Sequence, residues 1–207
     1  MIKFPPSTLA LIAANLVPII GVIFYGWSLF EMLYLYLLES AVIGIYNVPK
    51  LAMVRTPVRR RVRSIFASLY VLGVLIGAEF LVLAGLFGGP GETMLVNGRI
   101  GIEALKVFTR HPDVVIVALA TPFVSHGISF YLNFLGKKEY LKTTLEEQQS
   151  APFRRVFVMH ITLILATFLL LLSKLGSLTP ILVLLGFLKM AFDANAHTKE
   201  HGAFKRR

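Results

Sequence analysis

The chain has 207 residues, 56% hydrophobic and 15% charged, with a mean hydropathy of +0.74. Apolar runs this long and this numerous exceed what one water-soluble core can hold, so the composition excludes an ordinary soluble domain and points to an all-α integral membrane protein. The net charge of +10 comes from Lys and Arg placed between the apolar runs, where topology-setting charges sit, which argues against nucleic acid as a partner. The lipid bilayer is the expected partner, and protein partners or a homo-oligomer stay open. With 0 cysteines, disulfides, iron-sulfur clusters and thiolate metal sites are excluded.

Taken in order, Met1-Ile-Lys-Phe-Pro-Pro lacks the basic start and cleavage site of a signal peptide, so the first apolar run is expected to remain as a helix. Ser7 or Thr8 is the expected cap of that helix, which runs to about Tyr25 with Pro18 inside it. Ser28 and Glu31 fit a capping box opening a second helix from Leu29 to about Met53. The arginine-rich stretch from Arg55 to Arg63 reads as a short connection. A third span from about Ser64 to Phe87 then stops at Gly88-Gly-Pro-Gly91.

The segment from Glu92 to Asp113 reads as a short amphipathic helix on the membrane surface. A fourth span, from about Val114 to Phe134, carries Pro122 and the polar stripe Thr121, Ser125 and Ser129, with His126 beside it. A polar loop over Gly136 to Pro152 leads to a fifth span from about Arg154 to Leu175, and Thr179 with Pro180 open the sixth. The result is a single transmembrane domain of about six helices over residues 1–207. All basic residues except Arg99, Lys106, Arg110 and Lys174 fall on the side of the termini, so both termini are expected in the cytoplasm of a multi-pass cell-membrane protein.

The last helix begins as membrane and ends with Asp193, His197 and His201 at intervals of four, which places a carboxylate and two imidazoles along one helix face. Depth estimates bring other ionisable groups to the same layer. Glu39 lies near mid-membrane; His126 is about 12 Å and His160 about 9 Å from the cytoplasmic ends of their helices. Charged groups at such depth are costly, so they face the bundle interior and find partners. Glu39, His126, His160, Asp193, His197 and His201 are therefore the candidate metal ligands, a donor set suited to zinc, iron or manganese. His111 is expected on the opposite side. Glu79, in the outer half of the third helix, is not included.

These residues also carry a resemblance. Tyr36-Leu-Leu-Glu39 followed by Gly44-Ile-Tyr-Asn47-Val-Pro-Lys50, then Ser125-His126-Gly127, Pro152-Phe-Arg-Arg155 with His160, and the terminal Lys189-x-x-x-Asp193-x-x-x-His197-x-x-Glu200-His201 resemble an uncharacterised family of bacterial and archaeal integral membrane proteins, a domain of unknown function. The resemblance spans most of the chain. It implies the residue set and no activity.

Other readings fit less well. A rhomboid-type serine protease needs its serine and histidine toward the outer side in a Gly-x-Ser-x pattern, which Phe123-Val-Ser-His126 does not match. A glutamate-dependent intramembrane protease expects a Glu-Glu pair where this chain has Glu39-Ser40. A small transporter or proton pathway would use the same buried groups without catalysis, and a structural subunit would use them as glue. Whether the protein is an enzyme stays open at this stage.

Overall fold

The computed structural model describes residues 5–27, 29–87, 112–172 and 179–203, with the side chains of the last helix described as far as residue 195. The expectations for Ser28, for the break and surface helix within 88–111, for His111 and for the side chains of His197 and His201 lie outside the described residues. The described residues are all-helical, without strands. They form α1 (Pro6–Tyr25), α2 (Leu29–Met53), α3 (Val58–Phe87), α4 (Pro112–Ser129), α5 (Leu145–Leu172) and α6 (Thr179–Ala203). α4 continues as a π-helical turn over Phe130–Leu135, and a 3₁₀ turn over Glu139–Leu141 precedes α5.

Several helix ends differ from the sequence expectation for identifiable reasons. α1 is capped at Pro5 with Pro6 in the first turn, because proline has no N–H to leave orphaned there; Ser7 and Thr8 are buried inside the helix instead. Its other end is closed by Gly26 at φ 65, whose N–H reaches the Gly21 carbonyl. Trp27 then folds back over Gly21 so closely that a Cβ there would lie 2.0 Å from the indole. α3 begins at Val58, so Arg59 to Arg63 are helical rather than a loop.

α5 also begins well before Arg154, and the reason is a capping box. Thr144 Oγ1 accepts the Glu147 N–H at 3.2 Å, and Glu147 Oε2 accepts the Thr144 N–H at 3.0 Å. The expected loop from Gly136 to Pro152 is thus a tight turn followed by two turns of helix.

α2 is central: it packs against α3, α4 and α5 and touches α1, while α1 packs along α6 and α5 along α3 and α6. The residue pairings set the directions. Asn15 and Ile19 of α1 meet Lys189 and Gly186 of α6, so these two helices are antiparallel. Ser7 of α1 meets Asn133 beyond α4, and Asn47 of α2 meets Ser68 of α3 and Gln148 of α5. α1, α3 and α5 therefore run one way and α2, α4 and α6 the other, so the start of α1 and the end of α6 lie at the same end of the bundle.

The core between α1, α2, α3 and α6 is built on Val22, Met32, Leu33, Tyr36, Leu37, Leu83, Leu182 and Leu185. A smaller cluster of Leu51, Val54 and Leu145 closes the end where α2 and α5 meet. The outer surface is also apolar: Phe24, Phe66, Tyr70, Ile116, Tyr131, Phe157 and Ile164 all point outward. Among the described residues four stretches, Pro6–Tyr25, Glu31–Met53, Val58–Leu83 and Val115–Leu135, are long and apolar enough to cross a membrane, against the six expected from the sequence.

Candidate functional site: a buried ionic cluster

Inside this apolar shell the polar groups collect along α2. Lys189 of α6 is 4% exposed, and its ammonium is the centre of the cluster. Lys189 Nζ donates to Glu39 Oε2 at 2.7 Å, to Asp193 Oδ2 at 2.5 Å and to Asn15 Oδ1 at 2.9 Å. An ammonium has three N–H donors, and all three are used. Asn15 is oriented for this role, since its Nδ2 donates to the Leu11 carbonyl one turn back and leaves Oδ1 facing the lysine. The ring of Tyr36 lies 4.5 Å from Nζ, adding a cation–π contact on the remaining side.

The spacing on α6 explains part of the geometry: Lys189 and Asp193 are one turn apart on the same face, as the expected stripe of Asp193, His197 and His201 requires. That stripe starts a turn earlier than the sequence reading assumed, and its first member is a cation. Glu39 reaches the same point from α2 through a long-range contact, as does Asn15 from α1.

His126 of α4 borders the cluster. Its Nε2 is 3.9 Å from Glu39 Oε1, beyond hydrogen-bond length, and Nε2 has no hydrogen-bond partner among the described residues. On the other side, Arg155 Nη1 lies 3.5 Å from His126 Nδ1. A guanidinium can only donate, so Nδ1 accepts and the neutral ring carries its proton on Nε2, toward Glu39. Tyr46 holds the ring from above, with its centroid 6.3 Å away and its hydroxyl donating to the Phe123 carbonyl at 3.0 Å. Gly127 makes room for that crossing: a Cβ there would lie 2.8 Å from the tyrosine hydroxyl.

His160 is elsewhere. Its Nδ1 lies 2.6 Å from Oε1 of Glu79 on α3, a carboxylate only 2% exposed. Depth counting separated these two residues; the packing of α3 along α5 brings them together. Of the six sequence candidates, Glu39 and Asp193 converge on Lys189 with His126 beside Glu39, His160 belongs to a second pair, and the side chains of His197 and His201 lie outside the described residues. Among the described residues, no three His, Asp or Glu side chains are grouped to hold a metal ion. Between Glu39 and Asp193 the cation is Lys189.

Two cavities approach the cluster along the α2–α4 seam. One is lined by Asn15, Tyr36, Glu39, Thr121 and Pro122 among others. The other is lined by Tyr46, Asn47, Lys50, His126, Gln148 and Arg155 among others. The first ends at Glu39 and the second begins at His126, so the contact between those two side chains lies between the cavities.

Lys189, Tyr36 and Arg155 enter the sequence pattern only through the family resemblance and without a role, Glu79 is set aside there, and Asn15 is absent from it. A role for Lys189 was within reach, because the interval of four that links Asp193 to His197 also links Lys189 to Asp193. Asn15 carried only a weak signal, a lone amide in an apolar run.

No curated protein and no solved structure matches the chain. A family model does match, over residues 4–207. With a match over nearly its whole length, the chain belongs to DUF6498, a family of unknown function.

Proposed function

We propose that the protein is a multi-pass cell-membrane protein, one helical domain of six spans with both termini cytoplasmic, whose ionic cluster is the exchange site of a small transporter or proton pathway. The alternating helix directions support the shared side of the termini. Lys50, Arg55, Arg59 to Arg63 and Lys137 to Lys142 gather at that same end, which supports its being cytoplasmic.

The observation that carries the reading is the charge count in the wall between the cavities. Two carboxylates, Glu39 and Asp193, contact one ammonium, so with both ionised the triad bears one surplus negative charge inside the bundle, with the Arg155 guanidinium one residue further off beyond His126. Such a surplus is costly unless a proton or a cation balances it. His126 stands 3.9 Å from Glu39 and can relay a proton to it: Nδ1 takes one up from the second cavity in place of its contact with Arg155, and the imidazolium then passes its Nε2 proton to the carboxylate, so the cavities offer approach from two directions. The test is proton flux into liposomes containing the purified protein, driven by a potassium gradient and read with a trapped pH dye. Glu39→Gln lowers the flux to that of protein-free vesicles, while Glu146→Gln, at an exposed position, leaves it unchanged. Equal flux in wild type and Glu39→Gln removes the cluster from the pathway.

A second reading keeps the metal. Glu39 and Asp193 flank one cationic position, with His126 3.9 Å from the other oxygen of Glu39, and a divalent ion would have to take the place of the Lys189 ammonium and draw His126 in. Elemental analysis separates the readings: stoichiometric zinc, iron or manganese that is lost in Asp193→Ala favours the metal site, whether catalytic or structural.

A further inference from the structure

The cavity beyond His126 has a character of its own. Lys50, His126 and Arg155 line it from three different helices, together with the amides of Asn47 and Gln148 and the Tyr46 ring; among the described residues no Asp or Glu lines it. The amides are held as a unit. Gln148 Nε2 donates to Asn47 Oδ1 at 2.9 Å, Asn47 Nδ2 donates to Ser68 Oγ at 3.1 Å, and each amide nitrogen carries a second N–H beyond the one so used. Both residues are buried, at 4% and 5% exposure, so this polar wall is built into the bundle rather than laid on its surface.

We infer that this cavity is an oxyanion site, taking a phosphate group through Lys50 and Arg155 with the Asn47 and Gln148 amides as neutral donors. The chemistry follows from the lining. A planar guanidinium offers paired donors that match phosphate oxygens, and a lysine adds a point charge. The recess opens to its surroundings on one side, so a phosphate group would be taken at its mouth by these donors rather than enclosed. Its position supplies two sources for the same chemistry. The cavity lies at the basic end of the bundle, where pockets between helices take phospholipid headgroups, and free phosphate would approach from the same side. Arg155 also ties the site to the ionic cluster, because it is the residue that donates to His126.

The inference concerns binding alone, so its failure is distinguishable from failure of the flux reading. Two arms test it on the purified chain in neutral detergent. In the first, the thermal unfolding midpoint is followed in sodium phosphate against sodium chloride at equal ionic strength. In the second, native mass spectrometry records retention of phosphatidylglycerol against phosphatidylcholine. The expected result is a phosphate-dependent rise in midpoint, selective retention of phosphatidylglycerol, or both. Arg155→Gln and Lys50→Gln each weaken the effect roughly tenfold, the loss of one charge-assisted hydrogen bond. Arg155→Lys retains part of it, and Arg154→Gln, at an exposed neighbour, leaves it intact. A phosphate effect without lipid selectivity identifies the free anion as the source, and lipid selectivity alone identifies the headgroup. Absence of both effects in the wild type, or effects that survive in Arg155→Gln and Lys50→Gln, overturns the assignment.

Discussion

At the scale of single residues, Lys189 decides what the cluster is. A lysine buried this far is tolerated because all three of its protons have acceptors and its charge has two carboxylate partners. Lys189→Met would leave Glu39 and Asp193 facing each other with no counter-charge. The expected loss is about 3–5 kcal/mol, the usual result of removing one partner from a buried ion pair. Unfolding of the detergent-purified variant measures it. The triple variant Lys189→Met, Glu39→Gln, Asp193→Asn should recover much of that loss, because no buried charge then remains. If the triple variant is as unstable as the single one, packing of the lysine stem rather than its charge is responsible. The sequence showed Glu39, His126 and Asp193 as groups in need of partners, since burial cost follows from apolar neighbours in the chain. It did not show that the partner of two of them is a lysine.

At the scale of elements, the ends of the helices matter more than their middles. The middles of the helices follow from apolar run length and were legible. The start of α5 was not, because Pro152 and the polar residues before it look like a loop until the Thr144–Glu147 capping box is recognised. That box is spelled Thr-x-x-Glu in the sequence and was readable in principle. Its consequence is functional: the extra turns of α5 carry Gln148 into contact with Asn47 and set the angle from which Arg155 approaches His126. Thr144→Ala should cost about 1 kcal/mol of stability, the usual loss of an N-cap side chain. It should also raise amide hydrogen exchange at residues 145–148 while leaving the middle of α5 protected. Uniform exchange along α5 in both proteins would mean that the cap does not set this end.

The π-helical turn at the end of α4 is a second such element. It turns Asn133 inward, where Nδ2 donates to Ser7 Oγ at 2.9 Å and Lys137 donates to Oδ1, tying the end of α4 to the start of α1. π-turns arise where a local demand outweighs regular helix geometry, and here the demand is an inter-helix hydrogen bond.

At the scale of the whole molecule, the bundle reverses the arrangement of a soluble protein: apolar side chains cover the outside, and a line of polar and charged groups runs through the middle. Water would oppose such a surface, whereas hydrocarbon leaves it unopposed and makes the internal partners obligatory. Reporter fusions at residue 58 and at the C-terminus should both report cytoplasm, and a fusion near 95 the opposite side. A C-terminal signal from outside the cell would invert the bundle and place the oxyanion cavity on the outer face.

The sequence by itself determined the all-helical class and its six helices, of which four among the described residues, against the six spans expected, are long and apolar enough to cross a membrane, together with the bias of basic residues to one end and the ionisable groups that could not be left unpartnered in an apolar setting. Each of these is a property of neighbours in the chain, which composition and periodicity report directly. Which groups meet was decided only by the tertiary structure. Lys189 and Glu39 are 150 residues apart, Lys189 and Asn15 are 174 apart, and His160 meets Glu79 because α3 lies along α5. Those meetings depend on how each helix is rotated about its own axis and which neighbour it packs against. A helix period places a residue on a face but leaves open what that face will touch.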